Sequence, residues 1–317
     1  MPLATASRAF QAENVFLGNS QIRIFFSPPA KGPHLMKLLR YGPVGHEKPG
    51  MLDATGKIRD LSGVIDDIAG KVLSPQGLAM LRALKPESLP EVTGNPRIGR
   101  CVGQVGNVIA VGLNYADHAA ETGNPIPKEP ILFNKHTSCL CGPNDDTIIP
   151  LGSKKLDWEC ELAFVIGQKC RNVSEKDALN YVAGYAVMND VSERFFQIEG
   201  TGQWTKGKSC DTFGPLGPWL VTADEVPNPQ NLEMFCNVNG VSRQKGSTKT
   251  MIFSVAQIIA YTSKIMTLLP GDVIPTGTPP GVGSGIKPTP VFLKEGDTVH
   301  LGIQGLGEQK QKVVAYR

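Results

Sequence analysis

The chain has no apolar run long enough to cross a bilayer. Its longest runs, such as LAFVIG at residues 162–167, fall far short of the roughly 18 residues that a helical span requires, so no membrane role is expected. An excess of one charge is missing too. The 32 Lys and Arg stand against 29 Asp and Glu, a formal net charge of +3. They are spread throughout without a basic stripe, and a nucleic-acid partner is not expected. The seven cysteines (Cys101, Cys139, Cys141, Cys160, Cys170, Cys210 and Cys236) are an odd number in a large chain. That suits reduced thiols in a cytoplasmic protein better than a disulfide framework. Cys139 and Cys141 are too closely spaced and too isolated for a zinc site, and read as small buried side chains. Repeats of fixed period are lacking, which argues against a solenoid or propeller.

Glycine and proline are plentiful instead. The 35 Gly and 25 Pro make up about 19% of the 317 residues, below the roughly 25–30% that marks disorder, and point to a folded, turn-rich chain. Residues 1–35 have no clear period and carry the stretch PPAKGP. They are expected to lie outside the fold as an extension, without the apolar core and cleavage site of a signal peptide, and Met36 reads as a natural start. From there MKLLRYG and GMLDATGKIRDLS predict strands around a turn at Gly56. Residues 64–85 predict two short helices interrupted at Pro75. Residues 36–100 are therefore expected to form a small β-rich domain and linker, and 101–317 a catalytic domain. In the latter NVIAVGLN, DWECELAFVIG, YAVMND and the C-terminal run predict strands, while DHAAETG and the segment ending TSKIM predict helices. The mixture indicates an α+β fold.

Residues 202–209, GQWTKGKS, satisfy the phosphate-binding pattern G-x-x-x-x-G-K-[ST]. That pattern requires a buried strand before the first Gly and a helix from the Lys onward. Upstream RFFQIEGT lacks an apolar run. Downstream, Pro215 and Pro218 forbid a sustained helix. The match is read as accidental, and Lys208 is kept for another role.

Three constellations carry chemistry. Glu159 and Glu161 are two apart on a strand and so share one face, where they repel unless a cation lies between them; Asp190, ending YAVMND, offers a third oxygen ligand. Such hard donors select Mg²⁺, with Mn²⁺ or Ca²⁺ as alternatives, while solvent-facing carboxylates would explain the spacing equally. His118 and Glu121 fall three apart on a helix. They make either a surface charge pair or a base whose imidazole is oriented by the carboxylate. PTGTPPGVG at residues 275–283 is either a structural turn or an anion grip.

Taken in order, VGLNYADHAAETG, KEPILFNK, DWECELAFVIG, AGYAVMNDVSERFFQ, GKSCDTFGPLGPWLV and GDVIPTGTPPGVG resemble the fumarylacetoacetate hydrolase family from Met36 onward. The likeness is greatest to its branch acting on 2,4-diketo acids and acylpyruvates, including sugar-derived ones. The resemblance implies a mixed β-roll with flanking helices, usually assembled as a homodimer. It implies a divalent metal on Glu159, Glu161 and Asp190, and water activation by His118 and Glu121. Lys208 would touch the substrate oxygens, and Tyr115, Arg194, Gln197 and Thr278 would meet the substrate. The implied reaction is hydrolysis of the C3–C4 bond of a 2,4-diketo acid to pyruvate and a carboxylic acid. Metal-dependent decarboxylation of oxaloacetate, isomerisation, or a non-catalytic ligand-binding homologue are the alternatives.

Overall fold

The computed structural model describes residues 36–123 and 125–316; the extension expected over residues 1–35 lies outside them. Two β-sheets form the body. The larger has the strand order Ile58–Asp60, Lys48–Leu52, Lys37–Tyr41, Gly214–Thr222, Val182–Asn189, Cys160–Ile166, Val273–Pro275, Val108–Gly112 and Ile131–Lys135. Leu140–Cys141 also pairs with Gly214–Thr222. The first three strands, from the expected N-terminal region, continue this sheet through the pairing of Lys37–Tyr41 with Gly214–Thr222. The smaller sheet runs Val241–Ser247, Glu233–Val238, Thr298–Ile303, Gly307–Ala315 and Thr147–Ile149. Antiparallel pairs dominate both, with parallel pairs between Val273–Pro275 and Val108–Gly112, between Leu140–Cys141 and Gly214–Thr222, and between Gly307–Ala315 and Thr147–Ile149, and the sheets mix with a few short helices as an α+β fold requires.

Strand Cys160–Ile166 is buried along its whole length because both faces are covered. Cys160 turns toward the smaller sheet, where its Sγ meets Gly302 O, which leaves Glu159 and Glu161 on the opposite face. The antiparallel register sets Glu161 against Met188 and Cys160 against Asn189. One step further, Asp190 N donates to Glu159 O at 2.9 Å. The three carboxylates are thus brought together by backbone pairing.

The helices are short and have local causes. The two short helices expected around Pro75 are present, a 3-10 turn Gly70–Leu73 and the α-helix Pro75–Arg82, and Pro75 begins the second. It occupies the first position of Pro75–Arg82, where its missing N–H costs nothing, and the Ser74 side chain accepts from Gly77 N. Helix Val255–Ile265 is closed by a capping box between Ser254 and Gln257. No described helix is long and apolar enough to cross a membrane.

Buried polar side chains stitch the sheets. Gln309, 1% exposed, donates from Nε2 to Val187 O, Pro215 O and Gly217 O at 2.8, 3.2 and 3.0 Å. It does so where the pairing of Val182–Asn189 with Gly214–Thr222 shifts register and leaves carbonyls without ladder partners. Gln309→Leu should therefore lower stability by about 1–3 kcal/mol through unsatisfied buried carbonyls. An unchanged urea midpoint would show that water takes over these bonds.

Candidate active site

Glu159 and Glu161 open onto a cavity of about 520 Å³ that also reaches His118, Glu121, Arg194, Gln197, Lys208 and Thr278, while Asp190 does not line it and is tied to it through Lys208. Glu159, Glu161 and Asp190 are all buried and present oxygens within 4.8 Å of one another. Two of them have cations. Lys208 Nζ donates to Glu159 Oε2 at 2.7 Å and to Asp190 Oδ2 at 2.9 Å. Lys135, fully buried on strand Ile131–Lys135, donates to Asp190 Oδ1 at 2.5 Å and to the carbonyl of Lys208. Arg194 Nη2 lies 2.7 Å from Glu159 Oε1, an ion-pair distance without hydrogen-bond alignment.

Glu161 differs. Among the described residues its donor is the Gly277 amide, at 2.8 Å. Burial, together with the charges of Asp190 and Glu159, pushes its carboxyl well above the usual range. Burial also opposes ionisation of Glu159, but Lys208 and then Arg194 overcome it and hold that carboxyl well below the usual range. Among the described residues, one site therefore holds two carboxylates in contact with lysines and a third, Glu161, that is hydrogen-bonded to an amide instead. An all-oxygen cluster with a deficit of positive charge fits a hard divalent cation on Glu159, Glu161 and Asp190.

Across the cavity, helix Ala116–Thr122 carries His118 and Glu121 on one face and ends at Gly123 in the left-handed region. His118 Nδ1 and Glu121 Oε2 are 3.0 Å apart. With Nδ1–H donating to the carboxylate, the imidazole lone pair is on Nε2. Glu121 Oε1 accepts from Gly281 N at 2.9 Å.

The family model described as fumarylacetoacetate (FAA) hydrolase C-terminal matches residues 107–314. A Burkholderia cenocepacia protein named as a hydrolase is 65% identical over 277 residues, covering 87% of this chain and 98% of the relative. The chain belongs to the fumarylacetoacetate hydrolase family. A fumarylacetoacetate hydrolase from psychrophilic Exiguobacterium antarcticum superposes with a TM-score of 0.76 at 36% identity, covering 89% of this chain and 100% of that one. Maleylpyruvate hydrolase from Sphingobium sp. SYK-6 gives 0.73 at 30% identity over the same shares. A 5-carboxymethyl-2-hydroxymuconate delta-isomerase from Mycobacterium smegmatis gives 0.69 at 31%, also over 89% and 100%. The family thus includes structures named for hydrolysis and for isomerisation.

Most of the residues expected at the site meet in this cavity, with three differences. Asp190 is not part of its wall and is joined to it by Lys208. Tyr115 is fully buried beneath the helix, its hydroxyl donating to Met234 Sδ at 3.4 Å, and does not form part of the cavity wall. Thr278 lines the cavity, but its hydroxyl is already engaged: it donates to Cys160 O at 2.9 Å and accepts from Gln244 Nε2 at 2.8 Å. Arg194 donates from Nε to Asp157 at 2.8 Å and from Nη1 to Gln197 Oε1 at 3.0 Å, so the guanidinium fixes the orientation of the Gln197 amide. GQWTKGKS supplies no nucleotide cradle. Its short helix, Thr205–Lys208, ends at the lysine instead of starting there.

Lys135, Gln244 and Asp157 were not singled out by sequence reasoning. Lys135 closes the KEPILFNK stretch, and a lysine ending an apolar strand is the only signal it offers. Asp157, fully buried, accepts from Gly283 N, Ser284 N and Arg194, and nothing in its spacing points to that.

Glu161 makes stability depend on pH. In the metal-free protein it binds a proton more tightly folded than unfolded, so stability falls as pH rises from the ordinary value near 4.5 through the raised native one. Melting of chelated protein should show this decline, Glu161→Gln should flatten it, and added Mg²⁺ should reverse it. Equal slopes for wild type and variant would contradict the charge deficit.

Proposed function

We propose that the protein is a divalent-metal-dependent hydrolase that cleaves the C3–C4 bond of a 2,4-diketo acid, releasing pyruvate and a carboxylic acid. The observation that carries this reading is the pairing, in one cavity, of a buried carboxylate cluster short of positive charge with a His–Glu dyad on the opposite wall. A substrate of this class offers a carboxylate and a 2-keto oxygen to the carboxylate end. A divalent cation bound there supplies Lewis acidity to those oxygens.

The chain's own residues account for the proton movements. His118 takes a proton from water at Nε2 while Glu121 stabilises the imidazolium through Nδ1–H, and the hydroxide adds to the 4-carbonyl carbon. Collapse of the adduct breaks C3–C4, and the electron pair passes to C3 and the 2-keto oxygen as the enolate of pyruvate. The other half leaves as a carboxylic acid. Lys208, fixed between Glu159 and Asp190, holds a positive charge where the enolate develops and so acts on the transition state more than on the substrate. The imidazolium proton then passes to C3, completing pyruvate.

An isomerase reading is favoured by one observation, the similarity to a structure named as a delta-isomerase, because an enolate reprotonated at another carbon needs no water. Decarboxylation of oxaloacetate would use the same enolate. The homodimer expected from the resemblance and the cytoplasmic setting expected from the cysteine count belong to the same proposal.

Purified protein with Mg²⁺, offered a panel of 2,4-diketo acids, should release pyruvate, and chelation should abolish this. Glu121→Gln should slow hydrolysis by roughly 10²–10⁴-fold, the range of a positioned acid or base, while bound Mn²⁺ is retained and any oxaloacetate decarboxylation suffers less. Near-wild-type hydrolysis would remove the dyad from the mechanism. Equal loss of both activities would leave it only an ordering role.

A further inference from the structure

The dyad carboxylate has two oxygens with two separate tasks. Oε2 meets His118 Nδ1 at 3.0 Å, and Oε1 accepts from Gly281 N at 2.9 Å. Both are met only if the carboxyl sits deep against residues 281–285, and there the chain has glycines. A Cβ built on Gly285 would stand 2.5 Å from Glu121 Cδ and 2.8 Å from Oε1, far inside van der Waals contact. The backbone of Gly285 lies outside the left-handed region, unlike Gly281 at φ +103. Space beside Glu121, and not conformation, is what requires a glycine at 285.

The surroundings decide which partner would yield. The loop is pinned from behind: Gly283 N and Ser284 N donate to Asp157 at 2.6 and 3.0 Å, and Trp158 Nε1 donates to Gly281 O at 3.0 Å. The start of the dyad helix is pinned as well. Asn114, fully buried, donates to Phe253 O and Thr276 O and accepts from Phe253 N. Between two fixed ends, the movable group is the Glu121 carboxyl at the tip of its side chain.

We propose that Gly285 is a positioning residue: its missing side chain forms the cradle that seats Glu121 so that one carboxylate holds the loop and orients His118 together. This rests on the dyad reading above. It adds a steric requirement that lies outside the helix bearing the dyad.

The test is Gly285→Ala in the full chain, alone and combined with Glu121→Asp, whose carboxyl is one methylene shorter. Two readouts are taken, the His118 ring signals of ¹⁵N-histidine-labelled protein and hydrolysis of acetylpyruvate with Mg²⁺. Gly285→Ala should shift the His118 Nδ1 signal away from its hydrogen-bonded position and lower kcat by about tenfold or more, with Mn²⁺ binding and KM little changed. In the Glu121→Asp background the same alanine should cost about twofold or less, since the space it takes is no longer needed. Unchanged His118 signals in Gly285→Ala, or losses that multiply independently in the double variant, would overturn the cradle. So would early melting or lost Mn²⁺ binding in both backgrounds, which would assign the glycine to loop packing. If Glu121→Asp and Glu121→Gln both hydrolyse at the wild-type rate, the dyad reading itself fails. If they are slow and Gly285→Ala is not, the dyad stands and the cradle falls.

Discussion

Bringing three carboxylates into one buried pocket is the constraint on which the site depends. Desolvation and mutual repulsion both disfavour their ionised forms. The chain offsets this for two of them with fixed cations, Lys208 between Glu159 and Asp190, and Lys135 behind Asp190. Among the described residues Glu161 receives an amide and no cation of its own. The cluster is therefore built with an opening for positive charge. In a family of enzymes that opening is suited to a divalent ion and to the oxygens that the ion would bring with it.

The scaffold holds this arrangement by backbone means. The pairing of Cys160–Ile166 with Val182–Asn189 fixes where the carboxylates stand, and the smaller sheet fixes the strand from its other face. Gln244 accepts from Cys160 N at 3.0 Å while donating to Thr278 Oγ1 and to Pro279 O, so one side chain ties the carboxylate strand to the loop that reaches Glu121. Asp157, two residues before Glu159, ties the same loop to Arg194. Metal end and dyad end are thus referred to common anchors, which keeps reacting groups in register at little entropic cost when substrate binds.

Much of this was legible in the sequence. Two carboxylates at strand spacing in an otherwise apolar run declare a shared face, and His118 and Glu121 declare a helix face by the same logic. Strand and helix existence along 101–317 followed from periodicity and turn residues. What the sequence did not reveal depends on non-local contact. Pro75 reads in the sequence as an interruption between two helices, and that the second begins on it rests on Ser74 capping. Lys135, Gln244 and Asp157 act on partners dozens of residues away, and no local period encodes that. Tyr115 and Thr278, placed at the substrate by resemblance, have hydroxyls engaged by Met234 and by Cys160 with Gln244, because tertiary packing decides where a side chain of the right type points.

The most direct measurement of the account is the proton count on Mn²⁺ binding, obtained by calorimetry near neutral pH in buffers of different ionisation heat. If Glu161 is held protonated by burial and by its two charged neighbours, ion binding should release about one proton per Mn²⁺, and Glu161→Gln should release none. Binding without proton release, or the same release in the variant, would contradict the claim that the cluster is one positive charge short.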